Sequence, residues 1–68
     1  MKIILNNRDE IIDNKEKISI EDIIIYKNFT FRLLVTKLND KLVKKEARKD
    51  TYIKEGDNVV VMHLISGG

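Results

Sequence analysis

The sequence predicts an α+β fold: a mixed sheet of about four to five strands crossed by one main helix. Three observations predict it. The chain has 68 residues, enough for one hydrophobic core and not for two. It has no Cys and no Pro, so the core must form by burial of aliphatic side chains in regular structure. One helix-start signature stands between two strand pairs, and an apolar run near the end reads as a central strand.

The elements follow in order. Lys2-Ile3-Ile4-Leu5 is a short apolar run ended by Asn6-Asn7, a pair that tolerates the positive φ of a tight turn. Asp9-Glu10-Ile11-Ile12-Asp13 returns as the second strand of a hairpin, and polar residues 14–17 follow. Ser19 is then a helix N-cap, with Glu21 and Asp22 in the first turn, where carboxylates favour the positive end of the helix dipole. Ile18 and Ile23 occupy the two positions of a hydrophobic staple. Ile20, Ile23, Ile24 and Lys27 share one helical face, and Asn28 is a left-handed stop. Ile23-Ile24-Ile25-Tyr26 is also rich in β-formers. The start and stop signals decide for a helix, because a strand explains none of them.

Residues 29–38 read as a strand in which Phe31, Leu33 and Val35 alternate with Arg32, Leu34 and Thr36. Asn39-Asp40 is a turn, and Lys41-Leu42-Val43-Lys44 is a charged return strand suited to a sheet edge. Residues 46–50 have room for a helical turn, and residues 51–54 lead into Glu55-Gly56-Asp57-Asn58, a turn marked by the internal glycine. Residues 59–65 are apolar on both faces except for His63, which makes this strand central. A central last strand flanked by the first hairpin requires the first and last strands to run parallel. That arrangement is the β-grasp, or ubiquitin-like, fold.

Composition excludes several chemistries. Without Cys there are no disulfides, thiolate zinc sites or iron–sulfur clusters, and His63 is the sole histidine. Asp9, Glu10 and Asp13 do not follow a calcium-loop spacing. The longest apolar stretches are far short of the ~20 residues of a membrane span, and the first strand turns polar too early for a signal peptide. A cytoplasmic location is expected. Net charge is +2, and Lys41, Lys44, Lys45, Arg48 and Lys49 form a basic segment diluted by Glu46. A solvated sheet edge is the reading for it, or a steering surface for an acidic partner. Nucleic acid is not expected, for want of interleaved aromatic residues. On the last strand Val59, Val61, His63 and Ile65 share one face, and Val60, Met62 and Leu64 the other. Pattern alone does not settle which face packs on the helix. His63 points to Val60, Met62 and Leu64 as the inner face, with Val59, Val61 and Ile65 then either an outward docking patch or buried under neighbouring strands and loops.

The reactive feature is the end of the sequence, Ser66-Gly67-Gly68. A Gly-Gly tail has no Cβ and fits a narrow channel. The free carboxylate of Gly68 can attack the α-phosphate of ATP, and a sulfur nucleophile can then displace AMP and leave a thiocarboxylate. No general base in this chain is needed, because an activating enzyme supplies Mg²⁺, phosphate clamps and acid–base groups.

Several segments together resemble the ThiS/MoaD family of bacterial sulfur carriers, and most closely its thiamine-pathway branch. They are Met1-Lys2-Ile3-Ile4-Leu5-Asn6-Asn7, Ser19-Ile20-Glu21-Asp22-Ile23-Ile24, Leu38-Asn39-Asp40-Lys41-Leu42-Val43, Glu55-Gly56-Asp57-Asn58-Val59-Val60 and Ile65-Ser66-Gly67-Gly68. The sequence differs from the family pattern at Lys44-Lys45, where Pro-Arg is common, and at Arg48, near a common aromatic position. The resemblance implies one β-grasp sulfur carrier domain over residues 1–68, with 66–68 a flexible reactive tail. It implies a protein cosubstrate rather than an enzyme. Gly68 bears the adenylate and then the thiocarboxylate, and Gly67, Ser66, Ile65, Val59 and Val61 meet partners. No cofactor is held tightly, and ATP–Mg is used by the partner. The implied partners are an E1-like adenylyltransferase of the ThiF type, a thiazole synthase of the ThiG type and a sulfur donor system. The alternatives are a carrier of the molybdopterin-synthase small-subunit type, a TGS-like module binding RNA or protein, and a modifier attached through an isopeptide bond.

Overall fold

A computed structural model describes residues 1–13, 17–29 and 33–63. Strands β1 (Lys2–Leu5) and β2 (Arg8–Ile11) form an antiparallel hairpin. Asn6 and Asn7 make its turn with φ of 52° and 66°. Two successive positive φ values are what a two-residue hairpin loop of type I′ requires, and Asn accepts them at lower cost than most non-glycine residues. Asn39 and Asp40, with φ of 51° and 70°, close the second hairpin in the same way. That hairpin joins β4 (Leu34–Leu38) to β5 (Lys41–Val43).

Helix α1 (Ile20–Tyr26) lies between the hairpins in sequence. Ser19 caps it, its Oγ accepting the Asp22 N–H at 3.0 Å. The C-terminus closes with two bonds: Asn28 N–H donates to Ile25 O and Phe29 N–H donates to Ile24 O. With Asn28 left-handed at φ 58°, this is a Schellman closure that satisfies otherwise orphaned carbonyls. Ile20, Ile23 and Ile24 are buried, as the helical spacing predicts.

Strand β7 (Asn58–His63) is the centre of a five-stranded sheet of order β2-β1-β7-β4-β5. It pairs parallel to β1 and antiparallel to β4. The turn before it aligns the parallel pair. Gly56 has φ of 83° and a Cβ there would meet nothing within 4 Å, so conformation rather than space selects glycine. Gly56 N–H donates to Lys2 O, and Ile4 N–H donates to Asp57 O. Asp57 Oδ2 accepts the Lys54 N–H at 2.8 Å. Ile3 and Leu5 of β1 and Val59 and Val61 of β7 share one core with the buried isoleucines of α1. The β-grasp expectation holds.

Three expectations are corrected. First, β3 (Lys17–Ser19) and β6 (Tyr52–Lys54) form a separate two-stranded sheet that the sequence did not suggest. At its centre Ile18 and Ile53, both buried, face each other in register. A single apolar residue between polar neighbours shows no period. Second, β4 begins at Leu34; Leu33 is a bend and exposed, and residues 30–32, read as part of that strand, lie outside the described residues. Third, the faces of β7 are reversed. Val59 and Val61 are 0% and 6% exposed, whereas Met62 is 47% exposed and His63 is exposed. Registers with Leu5 and Thr36, both buried, turn Val59 and Val61 inward. His63 misleads because it ends the strand, where a polar residue can leave the inward face for solvent.

Candidate functional site

The predicted reactive residues Ile65, Ser66, Gly67 and Gly68 lie outside the described residues, so the site is built from the strand that leads to them. On one side β7 pairs with β4 through to its end, with Val35 opposite Met62 and Leu34 opposite His63. On the other side the β1 register ends at Leu5 opposite Val59. There β1 turns away into its hairpin, because Asn6 takes a positive φ.

Asn6 continues the ladder after β1 has left. Its backbone N–H donates to Val59 O at 2.9 Å. Its side-chain Nδ2 donates to Val61 O at 3.0 Å, and its Oδ1 accepts the Val61 N–H at 2.8 Å. A carboxamide has the same donor and acceptor as a peptide unit, so it substitutes for the next residue of a parallel strand. The sequence marks Asn6 as a turn residue but carries no signal of this second role, since Val61 is 55 positions away.

Around this point lies an open groove of about 380 Å³, lined by Asn6, Phe29, Leu34, Val61, Met62 and His63. Of the predicted partner-binding residues, Val59 and Val61 belong to the core instead of an outward patch. The exposed apolar residues on the central strand pair are Met62 of β7 and Ile4 of β1. Arg48, read as part of a solvated basic segment, is buried at 8% exposure. It sits in the 3-10 helix Lys45–Asp50 and donates from Nε to Thr36 Oγ1 and from Nη2 to Leu34 O. Lys41, Lys44, Lys45 and Lys49 are exposed, as expected of a solvated edge. Among the described residues no three of His, Cys, Asp and Glu come together as a metal site. No helix among them is long and apolar enough to cross a membrane.

A parallel central strand pair, an antiparallel hairpin on each side and a helix that shares their core define a β-grasp domain. In the sequence, its last strand is followed by a Gly-Gly pair. The chain belongs to the ThiS family, whose model matches residues 2–68, and it is a sulfur carrier of that type. The fold is similar to a crystal structure of the thiamine biosynthesis protein ThiS from Geobacter metallireducens. The TM-score is 0.90 with 22% identity, and all of both chains is covered. It is also similar to an NMR solution structure of a thiamine biosynthesis protein from the same organism. That likeness has a TM-score of 0.76 and 21% identity, covering all of this chain and 88% of the other. At such identities the likeness speaks for the fold. No curated protein matches the chain.

Proposed function

We propose that the chain is the sulfur carrier of thiazole formation in thiamine biosynthesis. The observation that carries this reading is the family match over residues 2–68, which takes in Gly67 and Gly68. With Gly68 as the terminal residue of the mature protein, its carboxylate attacks the α-phosphate of ATP. The bond between the α-phosphorus and the oxygen bridging to the β-phosphate breaks, pyrophosphate leaves, and a glycyl-adenylate remains. A hydrosulfide-class nucleophile then attacks the acyl carbon and AMP departs, leaving a thiocarboxylate on Gly68. An E1-like enzyme of the ThiF type performs the activation and handles the ATP–Mg. A thiazole synthase of the ThiG type accepts the sulfur. The chain is a protein cosubstrate in both steps.

The division of labour suits the residues. The chain supplies a folded body and a tail without side chains at Gly67 and Gly68, while the charge stabilisation belongs to the partner. Ile65, Ser66 and Gly67 meet the partner channel in this reading. Outward docking falls to Met62 and its neighbours, because Val59 and Val61 are core.

ATP–pyrophosphate exchange with the activating enzyme tests the first step. Exchange that depends on the wild-type chain and is lost when one alanine is appended after Gly68 supports the proposal. Exchange that persists with the alanine in place contradicts it.

A further inference from the structure

We infer that Asn6 is a positioning residue for the C-terminal chemistry: its side chain fixes the direction in which β7 leaves the sheet toward Gly68. The inference rests on the sulfur-carrier reading above and extends it to a residue at the opposite end of the sequence.

The geometry gives the Asn6 side chain a task that the β1 backbone does not perform. The β1 register with β7 ends at Val59, while β7 continues through Val61 to His63. At Val61 the Asn6 carboxamide takes over on the β1 side, holding both the N–H and the C=O of that residue. On the other flank, β4 supports Met62 and His63 only from its first residues, Val35 and Leu34, which follow the bend at Leu33.

Residues 64–68 join His63 to the Gly68 carboxylate, so the end of β7 is the root from which that carboxylate is presented. Without the Asn6 amide, Val61 loses its side-chain partner on the β1 side and the root must be ordered anew at each presentation, a cost that falls on the reacting complex. A body that docks correctly with a loosened root therefore brings Gly68 to the channel mouth less often. Asn6 is exposed, so its amide can be removed without opening a cavity in the core.

The test compares Asn6→Gly with Asn7→Gly. Both keep the positive φ of the turn, and only the first deletes the amide that holds Val61. Adenylation by the activating enzyme is followed at varied carrier concentration, with amide hydrogen exchange read on the same proteins. For Asn6→Gly, kcat falls about tenfold while KM for the carrier stays within about twofold, because docking by the body is intact. The Val61 amide exchanges about tenfold faster, whereas Ile23 and Ile53 keep their wild-type rates. Asn7→Gly matches the wild type throughout. Equal kcat for Asn6→Gly and wild type overturns the inference and leaves the carrier reading standing. An equal loss in Asn7→Gly overturns it too, as does exchange at Ile23 and Ile53 that rises by the same factor as at Val61. A wild-type chain that is not adenylated overturns the carrier reading and this inference with it.

Discussion

Arg48 illustrates how a single side chain can change its meaning between sequence and fold. Within a run of lysines it reads as one more solvated cation, yet it is buried and spends its donors on Thr36 Oγ1 and Leu34 O. Thr36 in turn donates from Oγ1 to Val43 O at 2.7 Å, so the guanidinium ties the 3-10 helix to β4 directly and to β5 through Thr36. No local pattern marks this, because the sheet brings these partners to it. Arg48→Ala should destabilise the fold by about 2–3 kcal/mol, since charge-assisted bonds and packing of the aliphatic stem are lost together. Arg48→Lys should recover only part of that, as an ammonium lacks the planar fork. Chemical denaturation measures both; a change below about 0.5 kcal/mol for Arg48→Ala contradicts the network. Gly56 is the opposite case, legible from the sequence as a turn. Gly56→Ala should cost about 1–2 kcal/mol through its positive φ alone, read by the same denaturation curves.

At the scale of elements, the helix and the hairpins were legible because their signals are local. The Ser19 cap, the first-turn carboxylates and the Asn28 stop all act within a few residues. Ser19→Ala should lower stability by about 1 kcal/mol, and a thermal melt indistinguishable from wild type would argue against the cap. The small β3–β6 sheet was not legible, since each strand centres on one buried isoleucine and their pairing joins distant segments. The faces of β7 were misread because both are apolar and the one histidine lies at the end. A pair of substitutions tests the corrected orientation. Val61→Asp buries a carboxylate in the core and should abolish folding, whereas Met62→Asp should leave the fold intact. Circular dichroism and melting of the two variants decide it, and the reverse pattern would restore the first orientation.

For the whole molecule, the absence of Cys and the single His are consistent with a carrier whose chemistry resides in its terminal carboxyl group. The fold class followed from the order of elements and the central last strand, which the parallel β1–β7 pairing satisfies. The Gly-Gly pair to which the proposal assigns the chemistry stands in the sequence itself and lies outside the described residues, whereas the support that Asn6 gives to the strand before it was not legible. That support depends on a contact between segments far apart in the sequence. The most direct test of the central claim is the mass of the chain after incubation with ATP–Mg, the activating enzyme and a sulfur source. The account predicts a gain equal to one oxygen-for-sulfur exchange, assigned by fragmentation to Gly68. An unchanged mass, or a sulfur assigned to any other residue, would contradict it.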